Sequence, residues 1–134
     1  MASNSNIQVL IDLSEAGQDL EPEALEELTS QVVEEIRGEL VEEAELVRES
    51  EIPELGKPGL GGFILGVLKT KVSLKNATGL LNYLGERFYG KPVKITFERN
   101  GNKYRIEYGS RAQLEEAIQA IKRLSKMDKE DANG

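Results

Sequence analysis

Asn100-Gly101 is the feature that most constrains this chain. Asn-Gly supplies the two positive-φ positions of a type I′ turn, whose twist matches that of the strands it joins. The flanking runs Pro92–Glu98 and Lys103–Tyr108 are rich in β-branched and aromatic residues. A two-residue turn fixes their register. Arg99 opposes Asn102, Glu98 opposes Lys103, Phe97 opposes Tyr104, Ile95 opposes Ile106 and Val93 opposes Tyr108. All the large apolar side chains then fall on one face. On the other face Glu98–Lys103 and Lys94–Glu107 are opposite-charge pairs, each worth a fraction of a kcal/mol, on the order of 0.2–1. Turn chemistry, alternation and charge agree on a C-terminal β-hairpin.

A helix is expected to follow. Ser110 and Gln113 form an S-x-x-Q capping box. Leu114, Ala117, Ile118, Ile121 and Leu124 make the stripe that would cover the hairpin's apolar face. Residues 126–134 are charged and small and read as a tail, as do residues 1–5.

Upstream, Ile7, Val9, Ile11 and Leu13 alternate with Gln8 and Asp12, the period-two pattern of a strand. Pro22 opens a helix running to about Glu42, with Leu25, Leu28, Val32, Ile36 and Leu40 at helical spacing. Residues 44–50 are a short strand candidate. Residues 51–62 form a Gly-Pro loop. Leading into and through 63–88, Leu60, Val67, Leu74, Leu81 and Phe88 recur every seven residues beside Phe63, Thr70, Ala77 and Leu84, a stripe of a/d type. That spacing predicts one long helix or two short ones, with a break near Lys75–Gly79. The expected fold is a single α+β domain in the order β-α-β-α-β-β-α. A three- or four-stranded sheet would carry helices mainly on one face.

The 134 residues contain no cysteine and no histidine. Disulfides, thiolate or imidazole metal sites, and Ser-His or Cys-His nucleophile pairs are therefore excluded. Charge is split along the chain. Residues 1–56 hold 16 acidic and 2 basic side chains, and residues 57–99 hold 8 basic and 2 acidic. The acidic half repels nucleic acid. The basic middle can attract an anionic surface, a nucleic acid or the acidic half of another copy, or the two halves can face each other within one fold.

The candidate chemistries are thin. Lys57 follows Gly56, but Pro58 stands where a P-loop needs a hydroxyl, so loop 56–62 fails that phosphate-binding pattern and G-x-G-x-x-G as well. Carboxylates crowd as Glu26-Glu27, Glu34-Glu35 and Glu42-Glu43 on the expected outer face of the first helix, not as a pair in a cleft. Asp12 is the one strand-borne carboxylate in a position to meet magnesium, and a solvated sheet face is the simpler place for it. Phe97, Tyr104 and Tyr108 are needed for the core, which removes them from an RNA-stacking platform. No catalytic residue, cofactor or metal is expected.

The layout resembles the effector-associated constant component of bacterial conflict systems. The similarity runs over about residues 6–125. It is carried by the first strand, the acidic helix entered through Glu21-Pro22-Glu23-Ala24-Leu25, and the loop Gly56–Gly62. It continues through an apolar middle segment, Val93-Lys94-Ile95-Thr96-Phe97, Tyr104-Arg105-Ile106-Glu107 and Ser110–Glu115. No secretion h-region follows Met1, so a cytoplasmic location is expected. The resemblance implies a non-enzymatic adaptor that couples a sensor to a protease-type effector in antiviral defence. The expected docking surface is the middle helix: Phe63, Ile64, Val67, Leu68, Lys69, Lys71, Leu74 and Lys75. Its partner would be such an effector or another copy of the chain. Two other readings stand beside it. One is a ligand- or nucleotide-binding domain using loop 56–62. The other is weak peripheral membrane binding through a basic helix 63–88.

Overall fold

The computed structural model describes residues 6–48, 62–99, 102–109 and 111–133. The elements are β1 (Asn6–Asp12), α1 (Pro22–Ile36), β2 (Glu43–Arg48), β3 (Phe63–Ser73), α2 (Leu74–Arg87), β4 (Val93–Arg99), β5 (Asn102–Tyr108) and α3 (Arg111–Asn133). The five strands form one sheet in the order β2-β3-β1-β4-β5, every neighbour antiparallel. Its first six elements have the connectivity of the split β-α-β arrangement found in ferredoxin-like sheets, with β5 and α3 added at one edge. The architecture is α+β as expected, with one strand more than the sequence suggested.

The extra strand comes from the first half of 63–88. Residues 63–73 are β3, not helix. Their side chains alternate. Leu68, Thr70 and Val72 are buried against the helices, while Lys69 and Lys71 point the other way. The seven-residue spacing of Val67, Leu74 and Leu81 is real, but it joins a strand to a helix. β-Branched Ile64, Val67, Thr70 and Val72 favour the pleat. The break falls at Ser73, whose hydroxyl accepts from the Asn76 N–H at 3.1 Å and caps α2.

Pro22 takes the first turn of α1 as expected. The helix ends at Ile36, six residues short of Glu42. Arg37 is extended and Gly38 adopts φ +88°. Glu42 and Glu43 therefore leave the helix, and Glu43 begins β2. The strand expected over 44–50 is Glu43–Arg48, and residues 49 and 50 lie outside the described ones.

The hairpin register is as read from the sequence, from Arg99 opposite Asn102 through Val93 opposite Tyr108. The turn residues Asn100 and Gly101, and the capping Ser110, lie outside the described residues. Gln113 accepts from the Gly109 N–H at 2.7 Å, one residue before the Ser110 N–H that an S-x-x-Q box would use. The α3 backbone continues to Asn133. Residues 126–133 thus extend the helix where a tail was expected, and Lys126, Met127, Lys129, Glu130 and Ala132 are good helix formers.

One core lies between the sheet and its three helices. Ile7, Val9, Ile11, Leu68, Val72, Ile95 and Phe97 from the strands meet Val32, Ile36, Leu80, Leu81, Leu84 and Ile121 from the helices. Gly85 on α2 lets Leu114 of α3 come close, since a side chain there would strike the Leu114 methyls. This accounts for a glycine that propensity alone disfavours in a helix.

Candidate functional site

With the helices on one face, the other face of the sheet carries the odd positions of β2 and β3, and the residues that pair with them across the sheet. Register assembles two rows. The first runs Glu43, Lys71, Gln8, Glu98, Lys103, and the second runs Glu45, Lys69, Leu10, Thr96, Arg105. At the β2 end of both rows acid and base stand on adjacent strands; at the β5 end only the first row repeats this, in Glu98–Lys103, while the second ends in Arg105 opposite Thr96 and keeps one positive charge in excess. Lys69 Nζ lies 3.3 Å from Glu45 Oε1. These residues line a shallow concavity of about 660 Å³. Leu10 is its apolar floor.

Asp12 sits on the same face, opposite Val67 and Lys94. Its Oδ1 accepts from the Ser14 N–H at 2.9 Å and from the Ser14 hydroxyl at 2.6 Å. These bonds close the turn that ends β1, so Asp12 works as a turn former. Lys94 Nζ is 2.8 Å from Glu15 Oε1. That bond, followed by the Coulomb attraction of Glu15, raises the Lys94 pKa above its ordinary value. Among the described residues, no cluster of three or more carboxylates is placed to hold a metal ion.

Toward the Gly62 end, the same face changes character. Leu46 opposes Leu68, yet two residues later Arg48 opposes Phe63. Three extra residues on β3 shift the alternation by an odd number, so Phe63 joins the helix side and Ile64 the open side. Ile64 and Val67 bury themselves with Val47 beside Leu10 as a small second cluster. The Arg48 guanidinium lies 5.2 Å from the Phe63 ring centre on the α1 side.

The eight residues expected to form one docking stripe are consequently dispersed. Leu68 is core. Ile64 and Val67 belong to the second cluster, and Phe63 is half-buried near α1. Lys69 and Lys71 stand on the open face. Leu74 begins α2, and Lys75 is exposed on its first turn. The strand period divides what a helix period would have gathered. It also removes the basic helix on which the membrane reading depended, and no helix among the described residues is long and apolar enough to cross a membrane. Of loop 56–62, only Gly62 lies within the described residues.

Phe97 is 1% exposed on the helix side, and Tyr104 packs against the same core. The two central strands therefore present Gln8, Leu10, Lys69 and Lys71 outward, with no ring among them. Among the described residues, these strands place on the open face no aromatic pair of the kind on which RNA-binding sheets stack bases. The face is hard to read from the sequence because heptad spacing over 63–88 favours a helix where β3 forms. The alternation Val67, Lys69, Lys71 against Leu68, Thr70, Val72 was the available signal.

A second polar constellation joins α1 to α2. Tyr83 donates a hydrogen bond to Glu35, and Arg87 Nε donates to the same carboxylate oxygen at 3.4 Å. Burial, then the bond to Glu35, pushes the Tyr83 pKa well above its ordinary value. The three groups clamp two helices together.

No family model, no curated protein and no solved structure matches the chain.

Proposed function

We propose that the chain is a non-enzymatic interaction module that docks a protein partner on the open face of its sheet. One observation carries this reading. Among the described residues the five-stranded sheet carries its helices on one side, and the rows on its other side carry paired charges around Leu10. Such a surface offers many weak, geometrically fixed polar contacts. Charge patterns of this kind set register and choice of partner more than raw affinity. The kind of partner follows from the resemblance described above: a protease-type effector, coupled through this adaptor to a sensor in a bacterial defence system.

The test is titration calorimetry between this protein and an effector-type protein encoded beside its gene. Lys71 is exposed in the first row, between Glu43 and Gln8. Lys71→Glu is expected to weaken binding at least about tenfold, a cost of about 1.4 kcal/mol. Glu34→Lys, on the exposed side of α1, is expected to leave binding unchanged. Equal affinity of the Lys71 variant and the parent would overturn the assignment of the open face. Absence of binding to the encoded effector would overturn the choice of partner.

A further inference from the structure

A sheet in the order β2-β3-β1-β4-β5 has two edges, and they are built differently. At β2 the strand has six residues, an irregular register against β3, and a cation on its backbone: Arg37 Nη2 donates to the Ala44 carbonyl at 2.7 Å. A short edge with irregular pairing, held by a charged side chain, is poorly suited to adding another strand. At β5 seven residues pair with β4 in unbroken register. With Arg99 opposite Asn102 across a two-residue connection, Lys103, Arg105 and Glu107 turn their N–H and C=O groups away from β4. The regular β5 edge is therefore the one that can accept a strand.

The side chains of β5 select what that strand can be. On the open face it carries Lys103, Arg105 and Glu107, two cations followed by an anion. An antiparallel second β5 can be placed in three central registers. Centred on Tyr104, Lys103 meets Arg105 of the second copy. Centred on Arg105, that residue meets its own equivalent. Centred on Ile106, Arg105 meets Glu107 of the second copy twice, by symmetry. Ile106 then meets Ile106 on the other face, with Tyr104 opposite Tyr108. Only this register has no like charges directly opposed, and like charges at that position are destabilising.

We infer that β5 is a homodimerisation edge, pairing antiparallel with β5 of a second copy in the register centred on Ile106. The two-fold axis runs perpendicular to the sheet. It joins the two sheets into one and keeps both open faces on the same side. Closed two-fold symmetry limits the assembly to a dimer. The inference is independent of what docks on the open face. If both hold, the dimer presents two copies of that face to one partner assembly.

Sedimentation equilibrium of the full chain over a range of concentrations tests the inference. The parent is expected to be a dimer. Arg105→Pro removes an outward N–H and places a ring on the edge, a change that edge strands accept. It is expected to give a monomer with unchanged circular dichroism. Glu107→Arg is expected to weaken dimerisation about tenfold or more, and the exchange Arg105→Glu with Glu107→Arg to restore it. A parent that is monomeric at every concentration would overturn the inference. So would a folded Arg105→Pro variant that still dimerises. If the exchanged pair stays as weak as Glu107→Arg alone, the Ile106 register is wrong.

Discussion

Phe97→Ala is expected to lower the stability of the protein by about 3–5 kcal/mol. Phe97 is 1% exposed on β4, between Val9 of β1 and Tyr104 of β5. The substitution removes a ring that the surrounding β-branched side chains cannot replace by collapsing. A loss of this size is a large share of the roughly 5–15 kcal/mol that holds a domain of this kind together. Urea denaturation followed by circular dichroism measures it, with the midpoint falling and the slope unchanged. A loss under about 1.5 kcal/mol, the range of tolerated apolar exchanges, would mean that the ring does not fill the core.

Gly66→Ala is the second large effect. Gly66 has φ +80° within β3, and its carbonyl accepts from the Leu13 N–H at 2.8 Å. A Cβ there would lie 3.2 Å from the Ser14 nitrogen and 3.3 Å from a Leu25 methyl of α1. The left-handed backbone alone costs an alanine about 1–2 kcal/mol. The backbone contact adds to this because Ser14 cannot move without disturbing the end of β1. A total of about 2–4 kcal/mol is expected, at the larger end of single-site effects. Gly38→Ala is the matched control. Its φ is +88°, and nothing lies within 4 Å of the added atom. The two variants should therefore differ by the packing cost alone. Equal losses in denaturant titrations would show that Gly66 is needed only for its backbone angle.

What the sequence made legible follows from how local each signal is. The β4–β5 hairpin was readable to the residue because one dipeptide sets the turn and the turn sets every cross-strand partner. The start of α1 was readable from Pro22. Its end was not, because Leu40 keeps helical spacing after Gly38 has already turned the chain, and Leu40 still packs on the core. β3 was missed for a related reason. Phe63, Val67, Thr70, Leu74, Ala77, Leu81, Leu84 and Phe88 satisfy a heptad template across a strand–helix junction. The competing period-two signal in 67–72 covers only six residues. The sheet order is set by long-range pairing of β1 with both β3 and β4, which no local pattern encodes. The candidate site was hidden for the same reason. Lys69 and Lys71 were singled out from the sequence, but Gln8, Glu43, Thr96, Glu98 and Arg105 become their neighbours only once β3 lies between β2 and β1.

The split charge of the chain also acquires a place. The acidic first half supplies Glu43 and Glu45 on β2, and the basic middle supplies Lys69 and Lys71 on β3. Their opposition is satisfied within the sheet at the β2 side. At the β5 side, Lys103 and Arg105 end the rows at an edge.

Everything assigned to the open face depends on β3 being an interior strand that sends alternate side chains to opposite sides. The chain has no cysteine, so single cysteines can be placed at Leu68, Lys69, Thr70, Lys71 and Val72 and their rates of thiol labelling compared in the folded protein. The expected result is fast labelling at 69 and 71 and slow labelling at 68, 70 and 72. Slow sites recurring every three or four residues would mean a helix, and would contradict both the open face and the docking function placed on it.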